Sequence, residues 1–263
     1  MGGRLVPLTN MRAMRTIRNR WMGNVRQFTL PKLAVAAAVS LALALGLSAC
    51  QTVATFTQPS LVRVIDASYI APAVNVVVEG TVLAANIGQG SITPYGTLPA
   101  SSAALIKVTA ATGGASLVTT NGTLLAGRQH SIFLTDNGAA PTSYTVTILE
   151  DQQTAAAGGH SAFRFLNQAP KVGPLDVYMV PAGTTLANTI PIVTALPVGA
   201  TAGYISFTSQ TVTMVIVPTG LIKPKYTSAV MALTGGEVRT ILMVDTQLTS
   251  DPPVAVYMAN DVN

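Results

Sequence analysis

The sequence has few of the residues that usually carry chemistry. It contains one cysteine and two histidines among its 263 residues. The single cysteine, Cys50, excludes a disulfide within the chain and a zinc site built from several cysteines. The histidines, His130 and His160, are the only imidazole groups that can serve as a general base. The composition therefore does not favour a hydrolase that uses a histidine as its general base.

The first 49 residues contain no acidic residue, although they hold seven of the fifteen basic residues. From Cys50 onward the count is 15 − 7 = 8 basic residues against 10 acidic residues. The net charge of +5 therefore comes from the N-terminal segment and not from residues 50–263. A protein that binds nucleic acid needs its basic residues on a face of the folded domain. We therefore expect no nucleic-acid partner.

The N-terminal segment has the order of a secretory signal. Its basic region is followed by the uncharged apolar stretch 33–49, which is shorter than the roughly 20 residues that span a membrane. Leu47, Ser48 and Ala49 then precede Cys50, and this motif resembles the lipobox of bacterial lipoprotein precursors. The resemblance implies cleavage before Cys50 and lipid on its thiol, and an uncleaved signal anchor is the alternative.

This resemblance implies a signal peptide over residues 1–49, and a lipidated cysteine with a tether over residues 50–60. The partner that it implies is the membrane, reached through lipid on Cys50. Gln51 stands where aspartate favours the inner membrane in Gram-negative sorting, so we expect the outer membrane, at its periplasmic face or at the cell surface. The start codon remains open among Met1, Met11, Met14 and Met22.

Beyond residue 60 the sequence predicts β-strands throughout. Ala104, Ile106 and Val108 alternate with more polar neighbours, and segments 143–149 and 211–216 alternate in the same way. A period of two over five to seven residues predicts half-buried strands. Turns are predicted between such runs at Gly113-Gly114, Asn121-Gly122, Asn137-Gly138, Gly235-Gly236 and Pro252-Pro253. The predicted fold class is all-β, with two tandem immunoglobulin-like β-sandwich domains after an N-terminal signal helix.

The division into two domains follows from an internal repeat. Residues 62–66 (VRVID) match residues 163–167 (FRFLN) at an offset of 101. Later matches, such as Tyr95 with Tyr204, have an offset of 109, so about 109 − 101 = 8 extra residues lie within 179–204 of the second repeat. We therefore predict sandwiches over 61–155 and 160–263, with residues 152–159 (QQTAAAGG) as the linker.

Residues 63–80 (RVIDASYIAPAVNVVVEG) resemble the opening of a bacterial domain family of unknown function. That family is found on exported proteins and lipoproteins, often in tandem, and its motif runs from arginine through histidine or asparagine to Ala-Ser-Pro-Asp-Ala-Pro and Val-Asp-Val-Tyr. Asp66 here replaces the histidine, and Tyr69-Ile70 replace the Pro-Asp pair, whereas Asn167 and Asp176 fit the motif. The resemblance implies an immunoglobulin-like sandwich in both halves and assigns no activity.

Arg63 and Arg164 hold the same position in the two repeats. Either can bind an acidic ligand, but the recurrence favours a structural residue that pairs with a carboxylate or with loop carbonyls of its own repeat.

Two pairs of oxygen-bearing residues also recur, Asp66 with Asn167 and Asn75 with Asp176. Calcium needs six to eight oxygen ligands, usually with several carboxylates close together, and the acids here are sparse. Turn capping is the favoured interpretation, so we expect no metal and no other cofactor.

The sequence does not favour an enzyme. It has no Gly-x-Ser-x-Gly motif, and His130 shares a strand face with Ile132 and Leu134, which favours a place at the edge of the core. His160 follows two glycines in the linker and is expected to be exposed. Gly88-Gln89-Gly90 lacks the Lys-Ser/Thr of a phosphate loop and favours a hairpin turn.

Carbohydrate binding is the main ligand hypothesis, and such sites usually stack sugars on exposed aromatic rings. Tryptophan is absent after position 50, so tyrosines are the candidates. Tyr95 and Tyr204 are equivalent in the repeat, which favours a core role. Tyr69 and Tyr226 lie in loop-like stretches and are the predicted ligand-binding residues.

We expect a non-enzymatic cell-envelope protein with a structural, adhesive or protein-interaction role. The alternative is a carbohydrate-binding envelope lipoprotein. The expected partner, besides the membrane, is accordingly an envelope protein or a polysaccharide.

Overall fold

A computed structural model describes residues 57–136, 143–246 and 253–262. The predicted signal peptide, with Leu47, Ser48 and Ala49, lies outside the described residues, as do Cys50 and the tether as far as residue 56. Within the described part, no helix is long and apolar enough to cross a membrane.

The described chain consists of sixteen β-strands and one short 3₁₀ helix. The strands of the first half are β1 (Ser60–Asp66), β2 (Val74–Val78), β3 (Thr81–Ile87), β4 (Gly96–Leu98), β5 (Ser101–Ala110), β6 (Ser116–Leu124), β7 (Gln129–Asp136) and β8 (Tyr144–Glu150). The strands of the second half are β9 (His160–Gln168), β10 (Leu175–Pro181), β11 (Val193–Leu196), β12 (Thr201–Thr208), β13 (Thr211–Pro218), β14 (Tyr226–Ala232), β15 (Val238–Asp245) and β16 (Val254–Asn260). The 3₁₀ helix, Leu186–Asn188, lies between β10 and β11.

The strands form four sheets of four strands. The first half gives sheets of order β4-β1-β7-β8 and β3-β2-β5-β6, and the second half gives β12-β9-β15-β16 and β11-β10-β13-β14. The central pairs β1 with β7 and β9 with β15 are parallel, whereas all other pairs of strands are antiparallel. The strand orders of the two halves correspond one to one. The all-β sandwich fold predicted from the sequence is confirmed.

Each sandwich encloses its own hydrophobic core. In the first, Val62 and Ile132 of one sheet pack against Val76 and Ile106 of the other. In the second, Phe163, Phe165 and Ile241 pack against residues such as Val177 and Met214. These buried residues occupy alternate positions of their strands, as the period-two pattern predicted for 104–109 and 211–216.

A third apolar cluster joins the two sandwiches. It comprises Ile65, Ala67, Phe133, Leu166, Leu242, Val244 and Ala259. The sheet that contains β1 is therefore covered on both faces, by its own sandwich and by the sheet that contains β9. Strand β1 is consequently buried along almost its whole length. The described strands all belong to one compact unit, residues 56–263, which contains the four hydrophobic clusters of the described residues.

The extra residues of the second repeat lie where the offsets predicted them. Two residues separate β2 from β3, whereas the segment 182–192 separates β10 from β11. Leu186 of this segment packs against Val215 and Val217, which lie on the outer face of their sheet. Strand β13 is therefore buried on both faces towards its end, although the sequence predicted a half-buried strand.

The predicted turns are confirmed at two places and wrong at one. Gly113-Gly114 and Gly235-Gly236 form the turns after β5 and β14. Gly122, in contrast, lies within β6, where a Cβ atom would stand 1.9 Å from Cδ1 of Ile148. This glycine is needed for close packing between the sheets and not for a turn. Asn137-Gly138 and Pro252 lie outside the described residues.

Both sandwiches have the same orientation along their strands. At the end where residues 57–59 enter, which we call the tether end, the Ala156 amide donates to the Gly236 carbonyl oxygen at 3.2 Å. At the opposite end, the distal end, the Gln89 side chain donates to the Asp245 carbonyl oxygen at 2.7 Å. No strand lies between Glu150 and His160, the region of the predicted linker.

Candidate binding groove between the sandwiches

A buried arginine from each sandwich reaches into the other. The Nε atom of Arg63 donates to Ser131 Oγ at 2.8 Å, within its own sandwich. Its Nη1 atom donates to the Asn260 carbonyl oxygen at 2.8 Å, and its Nη2 atom pairs with the Asp261 carboxylate, both at the end of the second sandwich. The strongest partner of Arg63 therefore lies about 200 residues away along the chain.

Arg164 makes the corresponding contacts in the opposite direction. Its Nε atom donates to Thr240 Oγ1 at 3.0 Å, and its Nη1 atom donates to the Glu150 carbonyl oxygen at 3.2 Å. Its Nη2 atom pairs with the Asp151 carboxylate, which follows the last strand of the first sandwich. The arginine and aspartate side chains of both pairs are almost fully buried. Removing one partner of such a buried ion pair strongly destabilises a fold, because it leaves the other charge unpaired.

The equivalent tyrosines complete this cluster. The Arg63 guanidinium lies 4.8 Å from the centre of the Tyr95 ring, and that of Arg164 lies 4.9 Å from the Tyr204 ring. The hydroxyls of Tyr95 and Tyr204 each donate to an aspartate, Asp151 and Asp261 respectively, at 2.8 Å. Burial raises the pKa of both phenols well above the ordinary value, so both remain donors.

The structure corrects one prediction about the arginines. They are structural residues, but their short ion pairs are formed with the opposite repeat and not with their own. The physical reason is that Arg63 and Arg164 lie on the strand faces that form the contact between the sandwiches. A sequence repeat shows that a position recurs, but it does not show which surface that position faces.

Beside this cluster is a groove to which both sandwiches contribute. Its volume is about 400 Å³. The first sandwich contributes Arg63, Ile92, Thr93, Pro94 and Tyr95, and the second contributes Met258, Ala259 and Asn260. The lining combines an aromatic ring, a thioether and amide groups, and small-molecule and peptide sites commonly lie at such domain boundaries.

The groove lies between residues 92–95, which lead into β4, and the last residues of β16. Strand β4 is the outermost strand of its sheet, and β16 is the outermost strand of the sheet opposite. Met258, on β16, is 43% exposed. An edge strand presents backbone donors and acceptors that can pair with an extended segment of another molecule.

At the distal end, three aspartates lie near the contact between the sandwiches. Burial, with a contribution from the Asp136 charge, raises the pKa of Asp66 from 3.8 to about 7. Burial also raises the pKa values of Asp136 and Asp245. Asp66 Oδ2 and Asp245 Oδ1 are buried and have no hydrogen-bond partner among the described residues. The described residues contain no group of three or more acidic, histidine or cysteine side chains suited to a metal ion.

The predicted turn capping by Asp66 and Asn167 is confirmed. Asp66 Oδ1 accepts a hydrogen bond from the Ser68 amide at 3.0 Å, and Asn167 Oδ1 accepts one from the Ala169 amide at 3.0 Å. These are turns closed by a side chain on the backbone two residues ahead.

Asn75 and Asp176 bind the neighbouring strand and do not cap their own turns. Their Oδ1 atoms accept from the amides of Asn86 at 2.8 Å and Ala195 at 2.7 Å. Both donor residues have left-handed backbone, with φ of 52° and 49°. The recurring oxygen therefore stabilises an irregular position in the edge strand.

The two histidines have structural surroundings. His130 is buried on the face of Ile132, as predicted; its Nδ1 lies 3.0 Å from Ser60 Oγ, and burial lowers its pKa. His160 is half-buried at the start of β9, although the sequence placed it exposed in the linker. Its Nδ1 lies 3.1 Å from the Gly158 carbonyl oxygen.

The two predicted ligand-binding tyrosines lie in different surroundings. Tyr69 lies in the loop after β1, where its amide donates to Asp136 Oδ2 at 2.8 Å. Tyr226 begins strand β14 and packs against the core of the second sandwich, so its placement in a loop was wrong. Neither residue belongs to the groove between the sandwiches.

Gly88-Gln89-Gly90 forms a turn, but it does not connect the two strands of a hairpin. It connects β3 to the opposite sheet, and its Gly90 amide donates to the Asp66 carbonyl oxygen at 2.7 Å. A Cβ atom on Gly90 would stand 2.1 Å from the Tyr257 ring of the other sandwich. The turn is thus part of the contact between the sandwiches.

Sequence reasoning missed the two aspartates that pair with the arginines. Asp151 and Asp261 are offset by 261 − 151 = 110 residues, close to the offset of the later repeat matches. Each directly follows the last strand of its sandwich. An acid recurring at a strand end, in a chain with few acids, was the signal available.

Part of this chain matches a protein family. The family described as Domain of unknown function (DUF4397) matches residues 60–178, which are 178 − 60 + 1 = 119 of the 263 residues. The match covers the first sandwich and ends within β10 of the second. No curated protein matches the sequence.

Among solved structures, the chain is similar to a carbohydrate-binding module. This is CBMbc, of family CBM26, from Eubacterium rectale Amy13K, whose crystal structure was solved in complex with maltoheptaose. The identity is 10%, the TM-score is 0.23, and the match covers 75% of this chain and 96% of the module. A likeness at this level assigns no ligand to this chain.

Proposed function

We propose that this chain is a non-enzymatic protein of the bacterial cell envelope, anchored by lipid on Cys50, that binds a partner in the groove between its sandwiches. The groove is the observation that carries the proposal. Two buried ion pairs and an apolar cluster fix the sandwiches against each other, so the walls of the groove are held in place before a partner arrives. A preformed site avoids part of the entropy cost of binding.

The favoured partner is an extended segment of an envelope protein. Ile92, Pro94, Tyr95 and Met258 supply apolar contacts, while the edge of β16 supplies backbone groups. An extended peptide uses both kinds of contact at once, through its backbone and through alternate side chains.

Site-specific photocrosslinking in intact cells tests this proposal. A photoreactive residue replaces Met258 in the groove, and a matched control replaces Leu105, which is 39% exposed on the outer face of the first sandwich. We expect a covalent adduct with an envelope protein from position 258 and none from position 105. Absence of an adduct at position 258, or equal adducts at both positions, contradicts the groove as the binding site.

Carbohydrate binding at the same groove is the second candidate. The Tyr95 ring, the Asn260 amide and the Thr93 hydroxyl are the aromatic and polar groups that a sugar requires. A glycan array with purified residues 51–263 distinguishes the two ligands, with Met258→Arg as the groove-blocking variant and Leu105→Arg as its control. Saturable binding that Met258→Arg abolishes favours the sugar; no binding removes this candidate.

The anchor is tested separately. Cys50→Ala is expected to leave an unprocessed or released protein, because lipid is the proposed attachment. Fractionation with metabolic fatty-acid labelling measures this, and normal processing with membrane retention of the variant contradicts the anchor. Protease shaving of intact cells, with a tag after Asn263 and a periplasmic control, then distinguishes the cell surface from the periplasmic face of the outer membrane.

A further inference from the structure

The loop between β13 and β14 exposes two large apolar side chains side by side. Ile222 is 93% exposed and Leu221 is 60% exposed. Ile222 is more exposed than any other large apolar residue of the described chain. Scattered apolar residues on a surface are common, but adjacent ones at the tip of a loop indicate a contact with an apolar phase or partner.

Two exposed lysines lie in the same loop as this apolar pair or in the loop next to it. Lys223 is adjacent and exposed, and Lys171 is exposed in the neighbouring loop before β10. The two loops are joined where the Thr219 amide donates to the Pro174 carbonyl oxygen at 2.9 Å. Two exposed lysines therefore accompany the apolar tip, one within its loop and one in the loop hydrogen-bonded to it.

The charged groups are unequally divided between the two ends of the unit. Lys171 and Lys223 are exposed at the distal end. At the tether end, in contrast, Glu150 and Glu237 each form an ion pair, with Arg128 and Arg239 respectively. The described carboxylates of the distal end are buried, as in Asp66, Asp176 and Asp245, or half-buried, as in Asp136. Among the described residues, the exposed charges of the distal end that are named here are therefore those of lysines.

We propose that this distal tip, Leu221–Lys223 with Lys171, binds the surface of a bilayer that contains anionic lipid. Leu221 and Ile222 enter the boundary between headgroups and acyl chains, and the lysines contact the phosphate groups. An anionic lipid surface fits because it offers an apolar layer beneath a negatively charged one, in the order in which the tip presents its groups. The distal end is opposite the end at which residues 57–59 enter, so the site is separate from any lipid anchor.

Vesicle co-sedimentation with purified residues 51–263, which lack Cys50, tests the proposal without an anchor. The probes are vesicles of phosphatidylcholine alone and of phosphatidylcholine mixed with phosphatidylglycerol. We expect binding to the mixed vesicles that weakens with salt, and much weaker binding to phosphatidylcholine. The double variant Leu221→Ser/Ile222→Ser should lower the partition coefficient about tenfold or more, and Lys223→Gln about fivefold.

Matched variants at other positions distinguish binding by this site from nonspecific adsorption to the vesicles. Val230→Ser removes a side chain that is 70% exposed on β14, and Lys107→Gln removes an exposed lysine of β5. Both should bind the vesicles like the unchanged protein, and so should Met258→Arg, which blocks only the groove. No binding to phosphatidylglycerol vesicles overturns the proposal, as does an equal loss in the control variants. All the substituted side chains are exposed, and thermal unfolding confirms that each variant is folded.

Discussion

The two sandwiches have the same strand order but differ at the ends of their central strands. Asp66 and Asn167 hold equivalent positions at the distal end of β1 and β9, and each caps the turn ahead of it. Asn167 also donates through Nδ2 to the carbonyl oxygens of Gly173 and Leu196, each at 2.9 Å. An ionised Asp66 has no proton to donate in this way, which accounts for its unpartnered oxygen and agrees with its raised pKa.

The comparison shows which features the shared contact between the sandwiches requires. The arginine, tyrosine and aspartate of each sandwich recur with nearly identical geometry, because each set is completed by the other. Features outside this contact differ freely, such as the segment 182–192, which only the second sandwich has. One buried residue, Asp66, retains an acid where the other repeat has an amide.

The largest expected effect comes from breaking the two buried ion pairs that cross between the sandwiches, Arg63 with Asp261 and Arg164 with Asp151. Asp261→Asn and Asp151→Asn each remove the short ion pair of a buried arginine, although Arg63 also lies 3.9 Å from Asp151. Each variant should lower the free energy of unfolding by about 3–5 kcal/mol. Urea denaturation measures this loss. The control is Arg128→Ala, whose partner Glu150 lies at 3.5 Å in an exposed ion pair, and this variant should change stability by less than about 1 kcal/mol. Equal losses of stability for the buried and the exposed ion pairs contradict the stabilising role of the ion pairs between the sandwiches.

Exchanging the amide and the acid between the repeats should alter the pH dependence of stability. The pKa of folded Asp66, about 7, exceeds its ordinary value of 3.8, so this group stabilises the fold fully below about pH 4. That contribution is lost as the pH rises through 7. Asp66→Asn should remove this loss and stabilise the protein at pH 8 by about 1–3 kcal/mol.

The reverse exchange, Asn167→Asp, should destabilise the protein at pH 8 and less so at pH 5, because a carboxylate there faces two carbonyl oxygens. Denaturation of both variants at pH 5 and pH 8 tests the comparison. A pH dependence unchanged by Asp66→Asn refutes the raised pKa of Asp66.

A pair of equivalent glycines isolates the contribution of the contact between the sandwiches. Gly90 and Gly199 have φ of 77° and 78°, and the amide of each donates at 2.7 Å to the residue at the end of the central strand. Alanine at Gly199 meets no atom within 4 Å, whereas alanine at Gly90 meets the Tyr257 ring. Both variants bear a backbone cost of about 1 kcal/mol, and Gly90→Ala should cost about 1–2 kcal/mol more. Thermal unfolding that ranks the two equally contradicts this packing.

The smallest effect is expected at the segment that only the second sandwich has. Leu186 is half-buried and covers Val215 and Val217. Leu186→Ser exposes these valines and should lower the free energy of unfolding by about 1 kcal/mol. Chemical denaturation measures the change, with Ile190→Ser as control, since Ile190 is 86% exposed in the same segment. A larger loss of stability for Ile190→Ser than for Leu186→Ser contradicts this role of Leu186.

Sequence patterns predicted the strands well because each strand buries one face in its own sandwich. The period of two at Ala104, Ile106 and Val108 corresponds directly to buried positions in β5. The position of the extra segment also followed from sequence offsets alone. Gly122 misled the prediction, because a glycine needed for packing and a glycine needed for a turn look alike in a single sequence.

The candidate groove and the exchange of ion pairs did not follow from the sequence. Arg63 and Asp261 are 198 residues apart, and the chain between them has no local pattern that brings them together. The groove needs Tyr95 from one sandwich and Met258 from the other. Neither half contains the site by itself, so patterns within a repeat could not reveal it.

The sequence by itself determined the all-β class, the repeat and the recurrence of Arg63 with Arg164, because these depend on periodicity and on offsets along the chain. Only the tertiary structure decided that each arginine is neutralised by the other sandwich. The reason is that pairing across the contact depends on which strand faces meet, and a buried arginine is costly unless a carboxylate pairs with it. The same meeting of faces created the groove that we propose as the binding site.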